Sequence, residues 1–131
     1  MVLVLTATQL VGCQSGNTAL NQDESYPLDT AEGIINYLER ENLPAVDNIS
    51  LWQSRFGKGL SIQTPHYHIR TTLLEPLTLR DVPGLMESAY RGYQRQLPKP
   101  VTTIAPLSVY LFNDRGQWEE FTKEFVAPHA K

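Results

Sequence analysis

Apolar residues in this chain fall into stretches of helical period, separated by shorter runs of strand period. Ala31, Ile34, Ile35 and Leu38 recur at helical spacing. Before them, Asp29-Thr30-Ala31-Glu32 reads as an N-cap with an acidic residue three positions on, and Pro44 stops the pattern. This predicts a first helix of about three turns. Residues 45–59 are ambiguous: Trp52 and Phe56 share a helical face, while Gly57 and Gly59 break whatever precedes them. Residues 60–64 and 67–73 read as strands separated by Pro65. In the second strand Tyr67, Ile69, Thr71 and Leu73 take one face, with His68, Arg70 and Thr72 on the other. A further helix carries Val82, Met86, Ala89, Tyr90, Tyr93 and Leu97 as its apolar stripe, opening near Asp81 and Pro83 and closing at Pro98. A Pro-rich connection over 99–106 leads into 107–112, apolar on both faces as a covered central strand is. Last comes a short helix capped by Asn113 or Asp114, with Trp118, Phe121 and Phe125 as its buried stripe and Glu119 and Lys123 paired on the wet side.

The order helix, strand, strand, helix, strand, helix predicts an α+β domain over 29–131, a small sheet of about three strands packed with about three helices. A sheet so narrow leaves edges that invite pairing, so the domain reads as part of a larger fold, incomplete toward its C-terminus. At 131 residues, 41% hydrophobic and 19% charged, the chain has the balance of a globular domain. Its net charge is −3 and its Lys and Arg are scattered singly among acids, which excludes the basic stripe of a nucleic-acid binder. No apolar run reaches the roughly 18–20 residues that span a bilayer.

The N-terminus changes the picture. Leu10-Val11-Gly12-Cys13 matches the lipobox of bacterial lipoprotein signal peptides: a thiol to carry diacylglycerol, preceded by a small residue that fits the peptidase. Residues 1–12 then form a signal-peptide-like segment, and 13–28, rich in Gln, Ser, Gly, Asn, Asp and Glu, a flexible tether. Cys13 is the single cysteine, so no intrachain disulfide forms. A secretory signal opens on a positive n-region, yet no Lys or Arg precedes Arg40. Either the true start lies upstream, or residues 2–5 are a buried first strand and Cys13 an inert apolar residue. The lipidated reading is the stronger of the two. It places the protein in the cell envelope, extracytoplasmic and held to a membrane through lipidated Cys13.

Taken in order, Thr64-Pro65-His66-Tyr67, Ile69, Thr71-Thr72, Tyr90 and Tyr93, then Pro106-Leu107-Ser108-Val109-Tyr110-Leu111-Phe112 and Trp118-Glu119-Glu120-Phe121, form a pattern. It resembles the front half of a family of secreted bacterial gluzincin-like domains, the peptidase-MA-like group, over residues 60–130. The resemblance implies a strand–helix–strand–helix half that packs against a later helix bearing His-Glu-x-x-His, the source of two zinc ligands and a general base. No His-Glu pair occurs in this chain. The resemblance thus implies the N-terminal, non-catalytic part of a zincin-like domain. It assigns no catalytic residue, no cofactor-binding residue and no metal ligand here, and zinc belongs only to a longer parent that carries the helix.

Other constellations are weaker. His66 and His68, at i and i+2 of a strand, share a face and can clip a metal, but two nitrogens are not a zinc site and His129 is remote. Glu119, Glu120 and Glu124 resemble an acid/base set, yet they lie opposite the apolar stripe, where nothing desolvates them. Ser108 lacks a Gly-x-Ser-x-Gly frame and no Gly-rich phosphate loop occurs. Two expectations follow: an exported lipoprotein carrying the non-catalytic front of a zincin-like metallopeptidase domain, or a stand-alone envelope module whose open sheet edge or exposed aromatics bind a protein or a glycan.

Overall fold

The structure, a computed structural model, describes residues 27–126. Its elements run α1 (Ala31–Arg40), β1 (Asn48–Ser54), β2 (Gly57–Gln63), β3 (Tyr67–Thr71), α2 (Pro76–Gln96), β4 (Leu107–Leu111) and α3 (Arg115–Val126). This is an α+β fold in which the strands form one mixed sheet of order β1-β2-β3-β4. The signal-like segment, nearly all of the tether with Cys13, and His129 lie outside the described residues.

Among the described residues the sheet has four strands, one more than the pattern of 60–112 implies, because β1 occupies the stretch whose signals conflict. Trp52 and Phe56 stand four apart and mimic a helical pair, yet the chain reverses between them. Ser54 pairs with Gly57 across a tight turn, where the Ser54 hydroxyl accepts from the Phe56 amide (3.1 Å) and donates to the Gly57 carbonyl (2.9 Å). Gly57 has φ +115°, a conformation an L side chain avoids, so this glycine builds the hairpin. Gly59 lies inside β2, where a Cβ would come within 2.0 Å of the Thr71 carbonyl oxygen. Both glycines are therefore parts of a strand and not breaks before one.

β1, β2 and β3 run antiparallel, and β4 joins β3 in parallel, which requires the α2 crossover. Registers Leu60↔Thr71, Ile62↔Ile69 and Ile69↔Val109 bring Leu60, Ile62, Ile69 and Val109 to one face. There Ile34 and Leu38 of α1 and Leu79 of α2 complete a buried core. At about 1.5–3 kcal/mol for each buried aliphatic side chain, this face supplies most of the driving force. The α1 cap falls at Thr30, one residue after Asp29: its hydroxyl oxygen accepts from the Gly33 amide (3.1 Å) and donates to the Pro27 carbonyl (2.8 Å).

α2 opens several residues before Asp81. The Glu75 carboxylate accepts from the amides of Leu77 (3.2 Å) and Thr78 (2.6 Å), and Pro76 fills the first helical position, where its missing N–H costs nothing. Pro83 thus sits inside the helix, buried against the core. Its inward line is Leu79, Pro83 and Glu87, while Tyr93 (69% exposed) and Leu97 turn to water. β4 is an edge strand among the described residues, not a central one. The stripe on α3 is also not core: Phe121 packs on Tyr110 and Phe112, but Trp118 is 52% and Phe125 66% exposed. No residue of α3 is buried, because nothing described covers its second side.

Candidate functional site

The densest polar constellation joins the β2–β3 connection to α2. Pro65 and His66 bend the chain before β3 begins, so His66 does not continue the alternation that would place it beside His68. Thr64 fixes the bend: its amide donates to the Tyr67 carbonyl (2.9 Å), and its hydroxyl oxygen accepts from the Tyr67 amide (3.0 Å). The Glu87 carboxylate, 3% exposed, reaches into this bend from α2. It accepts from the Thr64 hydroxyl (2.7 Å), the His66 amide (3.0 Å) and the His66 ring at Nδ1 (2.8 Å). An ionised carboxylate only accepts, so Nδ1 carries the proton and the ring is oriented by Glu87.

Two effects compete at Glu87. Burial pushes its carboxyl up, but the hydrogen bonds from Thr64 and His66 outweigh that and hold it below the usual carboxylate range. The imidazole is stacked on Tyr90 with ring centres 3.8 Å apart, and Tyr67 meets Tyr90 edge-on. Burial, and next the Glu87 charge, raise the Tyr67 hydroxyl above its ordinary range. A small cavity of about 210 Å³ adjoins the His66 ring, walled by Tyr90 and by Thr102, Thr103 and Pro106 of the connection into β4.

His68 stands apart on the other face of the sheet. Its Nε2 lies 2.7 Å from the Ser61 hydroxyl, and burial, then the Arg70 charge, lower its pKa, so the ring is neutral at pH 7. The distance is that of a serine nucleophile and its base. However, Ser61 is 8% exposed in the middle of β2, where no substrate carbonyl reaches it. Further along this face Arg70 donates to the Tyr110 hydroxyl (2.8 Å), and Tyr110 contacts Trp52 and Phe121.

The two histidines therefore serve different partners and are not brought to one ligand. Among the described residues no group of three or more His, Cys, Asp or Glu is placed to hold a metal ion. The acidic residues of α3 are ion-paired at the surface, Glu119 with Arg115 (2.7 Å) and Glu124 with Arg55 (2.8 Å). Glu119 thus pairs toward the helix start, rather than with Lys123. Ser108 is exposed on the edge strand. Glu87 is the residue that reading the sequence missed. Its signal was its spacing, four after Pro83 and eight after Leu79, in a register otherwise buried.

Chemically, the Glu87 carboxylate accepts three hydrogen bonds that hold it ionised, so it is not poised to take up a proton near neutral pH. His66 keeps one ring nitrogen beyond Glu87, and among the described residues no metal-ligand set accompanies it. The constellation ties helix to sheet and orients an imidazole. Comparison of the chain with family models, with curated proteins and with solved structures finds no match.

Proposed function

We propose that this chain is an exported bacterial lipoprotein, anchored through Cys13, whose folded part is the front, non-catalytic portion of a zincin-like domain. The observation that carries the reading is α3. A helix with no buried residue, holding Trp118 and Phe125 half or more in water on one stripe, is built for a further layer. On this reading that layer is the later helix of the resemblance, zinc arrives only with it, and the described residues act as scaffold. The same exposed aromatics favour a second reading, a stand-alone envelope module that binds a protein or a glycan through α3.

Expression in a bacterium with an upstream start restored, followed by fractionation, tests the anchor. The wild type partitions with membranes and Cys13→Ser does not, because the acyl chains contribute about 0.8 kcal/mol per buried CH₂. A soluble, unprocessed wild type would refute it. Extending the chain with the residues its gene encodes next tests the scaffold. One zinc per chain, lost when a histidine of an added His-Glu-x-x-His is changed, supports the zincin reading. An extension without that motif leaves the binding module.

A further inference from the structure

The end of the molecule where α2 stops and β4 begins differs in charge from the rest. Lys and Arg stand singly along the chain, but from Ser88 to Asn113 no acid stands among them. Elsewhere Arg55 is paired with Glu124, Lys58 with Glu32, Arg80 with Asp81 and Arg115 with Glu119. Among the described residues Arg91, Arg95 and Lys99, all exposed, have no carboxylate partner, and Arg91 donates instead to the Ser88 hydroxyl (3.1 Å). The acids lie across the sheet: Glu39, Glu41 and Asp47 surround one hollow beside β1, at the opposite edge from β4.

Apolar side chains project from the same segment. Tyr93 and Leu97 at the end of α2, with Val101 in the connection that follows, are about half exposed or more, and Ile104 is wholly so. The connection that holds them is braced. Pro98, Pro100 and Pro106 fix its backbone. The Val101 carbonyl accepts from the Gln94 side chain (2.7 Å) and the Tyr90 hydroxyl (3.3 Å), while the Val101 amide donates back to Gln94 (2.9 Å). At its far end the Leu107 amide donates to the His66 carbonyl (2.8 Å). Ile104 is thus held in water by a loop tied at both ends, and it loses little further freedom on entering an apolar phase. A fluid phase accepts such a protrusion, whereas a rigid partner must match it with a hole. Unpaired cations around protruding apolar groups fit a bilayer surface with anionic headgroups: the apolar groups enter the acyl boundary, a tyrosine sits at headgroup level, and the cations meet phosphate.

We propose that the segment from Arg91 to Ile104 docks on the anionic surface of a lipid bilayer, with Ile104 inserted and Arg91, Arg95 and Lys99 on the headgroups. The inference rests on this segment and not on the Cys13 anchor, so it is tested in the full chain carrying Cys13→Ser, which cannot be lipidated. Ile104→Cys then supplies the single thiol for a polarity-sensitive nitrobenzoxadiazole label, and Leu51→Cys on β1, at the acidic edge, supplies the control. Both positions are exposed, and Ile104 lies outside every element, so the circular dichroism should be unchanged. With vesicles of phosphatidylglycerol and phosphatidylcholine in equal parts, emission from the label at 104 should shift to the blue and that at 51 should not. Pure phosphatidylcholine or high salt should weaken the shift. Each Lys or Arg near an anionic surface contributes about 1 kcal/mol, or about fivefold in affinity. Arg95→Ala with Lys99→Ala should therefore raise the lipid concentration for half the shift about thirtyfold, while Lys58→Ala should leave it as it is. An unshifted label at 104 overturns the proposal. So does an equal shift at 51, or a shift at 104 that Arg95→Ala with Lys99→Ala leaves unchanged.

Discussion

Replacing Glu87 by alanine removes the acceptor of three hydrogen bonds from a site that water hardly reaches. Hydrogen bonds to a charged group contribute about 1.5–3 kcal/mol each, so their simple sum exceeds 4 kcal/mol or so. That sum overstates the loss, because removing the carboxylate also removes its desolvation cost. The net cost, set by the donors of Thr64 and His66 left without an acceptor at a site shut from water, should be about 3–5 kcal/mol, a large share of the 5–15 kcal/mol available to a domain. Glu87→Gln retains an acceptor for Thr64 but sets an NH₂ group against Nδ1–H of His66, and the ring must change tautomer to accommodate it. About 1–2 kcal/mol is expected there.

Urea melts followed by tryptophan fluorescence give both values. The pH dependence provides an independent check with a fixed sign. The folded Glu87 carboxyl titrates below its ordinary value of 4.5, so its contribution is whole above that value and is lost as pH falls through the lower folded one. The stability gap between wild type and Glu87→Ala should therefore narrow in acid. A cost below about 1 kcal/mol for Glu87→Ala, or a gap that does not narrow in acid, would sink the reading of Glu87 as a charged staple between α2 and the β2–β3 bend.

The remaining predictions concern the core, the hairpin and His68. Ile34→Ala, at a wholly buried site, should cost about 2–5 kcal/mol, whereas Trp118→Ala on half-exposed α3 should cost about 1 kcal/mol, both read in urea melts. Equal large effects would mean that α3 is core after all. Gly59→Ala should lower the melting temperature more than Gly57→Ala, since the former meets the Thr71 carbonyl at 2.0 Å and the latter meets only backbone strain of about 1 kcal/mol. In an NMR titration the His68 ring should take its proton below the ordinary 6.5, and Arg70→Ala should bring the midpoint up. Because the unfolded chain binds that proton more readily, stability from this site falls as pH drops below 6.5. A midpoint at or above 6.5 would contradict the burial of the ring.

What the sequence disclosed, and what it did not, follows from how far each signal reaches. The faces of β3 were legible because strand alternation is a local property: Tyr67, Ile69 and Thr71 do share the side that Leu60 and Ile62 join. β1 was hidden because Trp52 and Phe56 coincide with a helical spacing across a turn that Gly57 makes, and period alone does not separate those cases. The start of α2 was masked by Pro83, which normally marks a first turn; the true start uses Glu75 as cap and Pro76 behind it.

The site residues show the deeper limit. His66 attracted notice as one of a pair with His68, yet the bend at Pro65 parts them, and its partner is Glu87, 21 residues on. Only the packing of α2 across the sheet makes that contact, and no spacing rule covers it. Trp118 and Phe125 went wrong in the opposite sense. Helical spacing shows that they share a stripe, but whether a stripe is buried depends on what lies over it. Here the ring of Phe121 meets Tyr110 and Phe112, while Trp118 and Phe125 stay half or more exposed. The pattern of α3 asks for a core, and among the described residues the fold covers only the middle of the helix. Pattern and packing disagree at α3, whereas at His66 and Glu87 the donors facing the carboxylate are already met.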